Sequence, residues 1–388
     1  MKWRKKLARV GVRPILSISL AIAGCCLAAS VFAEDIRPPA IPTTAESIGP
    51  FQYVGQVNGT ADPGPSRFSR DGAVFTTSDN EAARVWDART LKPLTEPLRQ
   101  PDLGLFGVSA DGKTAFTAND LEVRIWDVAT SKLRSSTRAA SVRLLSVDIS
   151  PDGRDFLTVD VGDHPISSWH AGEARPRFSL DGAAISAEFN PAGTAFVVNL
   201  HRKEFRLHAA DTGRVLFAPI PSDDTYFTPC RARFTLDGRR LVAARKFGFV
   251  VVDTTTGKTL TKIELNNGEE VREVRFSPDG QSVVLPDQSA NPGAVRVYDI
   301  ATGKLQHKFG SKIDDCQIIP GGRLALCSRW PAAPELWDLT AGKIVQVFPI
   351  TGEYDTFLSP EGSVVLFSPT RGLTQVWHLR PVMPVVHP

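Results

Sequence analysis

A five-residue turn recurs eight times along the chain and constrains it more than any other feature. It reads FSRDG at 68–72, VSADG at 108–112, ISPDG at 149–153, FNPAG at 189–193, FTLDG at 234–238, FSPDG at 276–280, IIPGG at 318–322 and LSPEG at 358–362, and successive final glycines lie 40 to 45 residues apart. A second motif follows each turn, its third residue 14 to 18 residues after the final glycine. It reads RVWD at 84–87, RIWD at 124–127, SSWH at 167–170, FRLHA at 205–209, VVVD at 250–253, RVYD at 296–299, ELWD at 335–338 and QVWH at 375–378. A third element often comes next: DTGR at 211–214, TTGK at 255–258, ATGK at 301–304 and TAGK at 340–343.

Each motif has a mechanical reason. In FSPDG the apolar residue ends a strand, Pro presets φ, Asp bonds nearby amides, and Gly takes the φ > 0 position that closes a hairpin. The large or β-branched residue before Asp suits packing between neighbouring sheets. TGK supplies a further hairpin turn. One four-stranded sheet cannot bury both its faces alone, but a ring of such sheets can. A period near 42 residues with four short strands per copy is the signature of propeller blades.

These motifs resemble those of the WD-repeat propeller family over about residues 49–380, with WD at 86–87, 126–127 and 337–338 and FSPDG at 276–280. The family's Gly-His dipeptide is missing from every copy, so its Trp–Ser/Thr–His–Asp hydrogen-bonded set is not carried over whole. The chain looks like a divergent bacterial WD-like propeller. The eight copies supply eight sets of three inner strands, and only PVMPVVHP remains after copy eight. Phe51 to Val57 is an orphan strand before copy one. In the family such a segment completes the last blade, which gives an all-β, eight-bladed propeller of four-stranded antiparallel blades closed by the N-terminal strand. Seven blades is the alternative if copy four or five is irregular.

The N-terminus reads as an export signal. Lys2, Arg4, Lys5, Lys6, Arg9 and Arg13 precede an apolar or small stretch from Ile15 to Phe32, and Val31-Phe32-Ala33 before Glu34 fits a cleavage site. Two rivals stand beside cleavage. The stretch is nearly long enough for a retained membrane anchor, and Ile22-Ala23-Gly24-Cys25 resembles a lipoprotein box with lipidation at Cys25. The division is therefore 1–33 signal peptide, 34–48 proline-rich linker, 49–380 propeller and 381–388 tail. Localisation is expected to be periplasmic or extracellular, or lipid-anchored to the envelope, with no span in the mature form. Removing the six basic residues from 45 leaves 39 against 42 acidic ones, a formal charge of −3. That gives no electrostatic case for nucleic acid.

The resemblance puts both repeated turns on one rim and the variable connections on the other. The long connections are Pro219 to Cys230, Pro286 to Gly293 and Ser328 to Pro334, and Tyr226, Asp223, Asp224, Arg329 and Trp330 are the candidate partner-binding residues there. Aligned on the turn, the copies carry Pro65, Leu105, Ser146, Ser186, Arg231, Glu273, Asp315 and Asp355 in one column. Arg67, Gly107, Asp148, Glu188, Arg233, Arg275, Gln317 and Phe357 follow two residues on, and alternation puts both columns on the face toward the channel. Glu273, Asp315 and Asp355 are a weak candidate metal set. Three carboxylates on adjacent blades would struggle to share one ion without waters, and solvated or Arg-paired carboxylates are the plainer reading.

Cys316 and Cys327 sit symmetrically about the IIPGG hairpin and are a candidate disulfide in an exported protein; two small core thiols are the alternative. His170, His208 and His378 lie at the WD position and read as packing or turn residues. No CxxCH, HExxH, GxSxG or phosphate-loop motif is present, and no cofactor is expected. The chain reads as an exported monomeric scaffold that presents a rim to a protein or polymer partner. The alternative is a propeller enzyme, a metal-assisted hydrolase or lactonase or a quinoprotein-like oxidoreductase, with its site at the channel mouth. A purely structural role in the envelope is a third reading.

Overall fold

The computed structural model describes residues 49–380 apart from 62–66, 80, 162–165, 202–203, 222–231, 246–247, 266–274, 278–279, 287–293, 311–312, 330–331 and 370–371. The signal segment, with Cys25, and the tail lie outside the described residues.

Every repeat forms its own antiparallel sheet. The described residues make seven four-stranded sheets and one three-stranded sheet, and no strand crosses between them out of order except at the closure. In the three-stranded sheet, Val74–Ser78, Ala82–Asp87 and Leu98–Arg99 are joined on the inner side by the bridge of Phe68 to Phe75, which stands where the other blades have their innermost strand. Copies four and five, the degenerate ones, each build a complete blade: Ala184–Phe189, Ala195–Leu200, Glu204–Ala209 and Ile220–Pro221, then Ala232–Phe234, Arg240–Arg245, Gly248–Asp253 and Thr259–Glu264. The count is therefore eight, and the seven-bladed alternative falls.

The eighth blade closes the ring as expected. Leu373–Leu379 pairs with Phe51–Asn58 from Phe51↔Leu379 to Asn58↔Leu373, with one irregularity at Val54. Tyr53 meets Trp377 edge-on at 5.5 Å. The strand from the start of the chain is thus the outer strand of the last blade.

Burial explains why the pattern reads as it does. The second strand of a blade is sandwiched between neighbouring sheets on both faces, so it is a mostly apolar run such as Ala195–Leu200 or Thr114–Ala118, buried throughout with its few polar residues paired. The outermost strand faces solvent on its edge, and Leu133–Arg138 is exposed at four of its six residues. Apolar clusters fill all the gaps between blades. Val85, Leu98 and Val108 fill one and two, Phe116 and Phe156 two and three, Leu157 and Phe196 three and four. Phe205, Phe249 and Tyr298 run through four, five and six, and Val297 and Cys316 join six and seven. Phe348 and Phe367 fill seven and eight, and Phe75, Trp86 and Leu366 fill the gap between one and eight. That last cluster is what makes the arrangement a closed round.

The turn glycines do what the motif asks. Gly72, Gly112, Gly153, Gly193, Gly238, Gly280, Gly322 and Gly362 all have φ between 63° and 72°, the left-handed region a Cβ disfavours.

Candidate functional site

The second motif is held by a device visible only in part from the sequence. Trp86, Trp126 and Trp169 each donate Nε1–H to a threonine on the neighbouring strand (Thr77, Thr117 and Thr158), each at 2.9 Å. This is the Trp–Thr portion of the four-residue set, retained in the first three blades. The Asp of WD has another task. Asp87 Oδ1 accepts the Thr90 N–H at 2.7 Å, and Asp253 and Asp299 accept the N–H groups of Thr256 and Thr302 at 2.8 and 2.7 Å. A threonine three residues after Asp in blades one, two, five and six was the signal, and it marks a side chain-capped turn. The three histidines at this position are structural. His208 stacks on Phe196 at 5.2 Å and bonds the Gly213 carbonyl, His378 bonds the Ala88 carbonyl, and His170 bonds Asp155. Burial lowers the His208 pKa.

These turns make one rim uniform. In seven of the eight, a Ser or Thr hydroxyl or an Asn side chain ties the hairpin, and Ile319 stands at that place in the seventh: Ser69 donates to Asp71 at 2.6 Å, Ser150 to Asp152 at 2.7 Å and Thr235 to Asp237 at 2.6 Å. Antiparallel order then puts the remaining connections on the opposite rim.

The channel wall follows the column read from the repeats. A cavity of about 270 Å³ just inside the turn-side mouth is lined by Arg67, Glu188, Arg233, Arg275 and Gln317, among others. It adjoins one of about 180 Å³ bordered by Arg70, Asp148 and Glu188. Positive charge comes from blades one, five and six, and negative charge from blades three and four. Arg67 lies over the Phe357 ring at 3.8 Å. Asp148 is buried and accepts the Phe189 N–H at 2.8 Å, which ties blade three to blade four.

Two of the three candidate metal carboxylates are placed near each other. Asp315 takes Arg275 Nε on Oδ1 at 2.8 Å and Gln317 Nε2 on Oδ2 at 3.1 Å. Burial raises the Asp355 pKa, with Arg67 and Arg275 opposing and Asp315 adding to the rise. Glu273, the third, and Arg231 lie outside the described residues. Among the described residues, no group of three or more His, Cys, Asp or Glu comes together as a metal cage.

On the opposite rim Arg329 is engaged within its own blade: Nη2 donates to Glu335 Oε2 at 3.2 Å, and Trp337 Nε1 donates to the same oxygen at 2.9 Å. Tyr226, Asp223, Asp224 and Trp330 lie outside the described residues. A rim feature the sequence reading missed sits at blades two and three. Asp102, Asn119, Asp120, Glu122, Ser136 and Arg138 border a cleft of about 510 Å³. The connection to blade three meets this cleft where the Leu144 N–H donates to the Asp120 carbonyl at 2.7 Å, and Val142 and Leu145 on that connection are 56% and 44% exposed.

Cys316 and Cys327 are direct cross-strand partners, both buried, with Sγ atoms 2.6 Å apart as thiols. The hairpin closes with Ile319 N–H donating to Leu324 O. Alternation from that bond puts the cysteines at a non-hydrogen-bonded pair, where facing side chains are closest.

Fold, motifs and closure together define a WD-type β-propeller. No family model matches the chain, and no curated protein matches it in sequence. Solved structures match in shape. The C-terminal WD40 domain of Sif2 aligns with a TM-score of 0.64 at 13% identity, over 85% of this chain and 99% of that one. The Cps50 (Swd1) β-propeller domain of Myceliophteria thermophila aligns at 0.52 and 16% identity, over 73% and 98%. The computationally designed Ika8 protein aligns at 0.61 and 15% identity, over 84% and 100%. At such identities the likeness is one of fold. Among the described residues, no helix is long and apolar enough to cross a membrane.

Proposed function

We propose that the chain is an exported, divergent bacterial scaffold that holds a protein or polymer partner on the rim opposite the repeated turns. The contrast between the two rims carries this reading. On the turn side the short connections are stereotyped, and in most of them a Ser, Thr or Asn side chain is spent within the hairpin itself. On the other side exposed aliphatics stand beside a charged cleft, and the long connections from Pro221 to Ala232 and from Pro286 to Val295 join strands there. Apolar residues ringed by charge are the surface type that binds proteins, and WD-type propellers commonly mediate protein interactions. The metal-assisted alternative needs Asp315 to share an ion, yet that carboxylate already takes Arg275 and Gln317.

The test is affinity capture from the native envelope, comparing wild type with Trp330→Ala and with Val142→Asp/Leu145→Asp. Loss of the same captured proteins supports the rim. Identical captured sets from all three forms overturn it. Arg329 is a poor probe, because its removal also leaves Glu335 without its cationic partner.

Export rests on the charged, apolar and small segments of residues 1–33. N-terminal sequencing of the envelope-associated protein reads Glu34 after cleavage, or a lipid-blocked Cys25 after lipidation. A protein retaining Met1 in the cytoplasm counts against both. In the exported protein Cys316 and Cys327 form a disulfide. The two thiols give up two protons and two electrons to a disulfide oxidant, which leaves as the dithiol.

A further inference from the structure

The turn-side mouth of the channel carries two arginines that make no ion pair among the described residues. Position three of the repeated turn is Ala110, Pro151, Pro191, Leu236, Pro278, Pro320 or Pro360 in seven copies, and Arg70 in the first. Arg70 does not lie along its own blade. Its Nη2 donates to the Leu236 carbonyl at 3.0 Å. Leu236 belongs to blade five, and blades one and five are four apart either way round, so this side chain spans the mouth. Its partner is a neutral carbonyl, and one bond leaves most of the five guanidinium donors unused.

Arg233 is the second such group. It is half-buried on the wall of the larger cavity, three residues before Leu236. The other wall arginines are engaged, Arg275 with Asp315 and Arg67 over Phe357. Among the described residues neither Arg70 nor Arg233 has a carboxylate within ion-pair distance. A half-buried guanidinium without a counter-ion is costly in a confined space. Narrow clefts with apolar walls also strengthen and focus its field, and here the collar is proline, alanine and leucine. Asp148 and Glu188 face the same lumen from blades three and four. They restrict the favourable side for negative charge to blades one, five and six.

We propose that this mouth is a binding site for a small polyanion carrying at least two carboxylate or phosphate groups, one held by Arg233 on the wall and another by Arg70 across the opening. Guanidinium forks match both groups in a bidentate way. The cavity volumes, about 270 and 180 Å³, are below or near the lower end of ordinary ligand pockets, roughly 300 Å³. A ligand of pyrophosphate or tricarboxylate size fits that space. Binding there would replace the Arg70–Leu236 bond by a charged one. The site is independent of the partner rim, which lies on the other face.

The experiment is calorimetric titration of the purified full chain at low salt with sodium pyrophosphate and, separately, with citrate. Arg70→Gln and Arg233→Gln are compared with Arg99→Gln, which changes an exposed arginine paired with Glu81 on an outer strand. One saturable site is expected, weakened about tenfold or more in each channel variant and unchanged in Arg99→Gln. Tighter pyrophosphate binding assigns a phosphoryl ligand, and tighter citrate binding a carboxylate one. No saturable binding of either anion up to about 10 mM overturns the proposal. Equal binding by wild type and both channel variants does so too. Thermal melts check each variant's fold. Should Arg233→Gln melt early, the exposed Arg70→Gln carries the comparison.

Discussion

Gln346 holds the Phe51 backbone with both ends of its amide: the Phe51 N–H donates to Oε1 at 2.9 Å, and Nε2 donates to the Phe51 carbonyl at 2.8 Å. Gln346 belongs to the outer strand of blade seven, 295 residues away, and is 7% exposed. One side chain of the seventh blade thus satisfies the backbone of the strand that completes the eighth. Gln346→Ala removes both of these buried bonds, which costs about 1–3 kcal/mol each at most. Urea unfolding is expected to show a lower midpoint with an unchanged slope. An unchanged midpoint would mean that the clamp contributes nothing.

Phe51 itself is fully buried and meets Phe348 at a ring distance of 6.1 Å. Phe51→Ala opens a cavity at the closure and is expected to destabilise by about 3–5 kcal/mol. Deleting residues 49–58 goes further, because it bares the edge of Leu373–Leu379. A bare edge pairs with other chains, so light scattering of the deleted form should show larger assemblies than the full chain does. A monodisperse deletion form would contradict the role of this strand.

The turn aspartates set the response to acid. The Ser69 hydroxyl and the Ala73 N–H hold the Asp71 carboxyl below the usual range, and the Thr90 and Thr256 N–H groups do the same for Asp87 and Asp253. A lowered folded pKa stabilises the fold above the unfolded value, about 3.9, and that stability is lost as pH falls through the folded value. Asp355 and Glu361 act in the opposite direction. Burial raises both, and their cost at neutral pH is relieved as pH falls toward the unfolded value. The turns are more numerous, so the urea midpoint should drop between about pH 4 and pH 2, and Asp253→Asn should flatten that drop. A midpoint that rises over this interval would contradict the assignment.

The cysteine pair makes a countable prediction. Alkylation of the denatured protein cleaved after Ala33, without reductant, should label Cys230 alone, and with reductant all three remaining cysteines. Burial and the adjacent Cys316 push the Cys327 thiol well up, so in the native reduced form it is a poor nucleophile. Reduction should lower stability by about 2–4 kcal/mol. Three labelled cysteines without reductant would exclude the bond.

Much of this was legible in the repeats because each blade is a local object. Its turns, its buried second strand and its large residue before Asp are set by neighbours within about forty residues. The closing strand was legible by subtraction, since the last copy lacked an outer strand. The column Arg67, Asp148, Glu188, Arg233, Arg275 and Gln317 reached the channel because period-two alternation carries it there. The Asp–x–x–Thr spacing was in the sequence and unread. The charged cleft on blade two had no local signature, for it is made where the hairpin 119–122, the outer strand and the connection from blade one come together.

By itself, then, the chain's period, turn chemistry and strand alternation determined a ring of eight similar sheets, since hairpin geometry and amphipathic faces are short-range properties. Which unlike residues meet across that ring was decided only in three dimensions. Arg70 reaches Leu236 over 166 positions and Gln346 reaches Phe51 over 295, and closing a circle is what brings such distant residues to within a hydrogen bond.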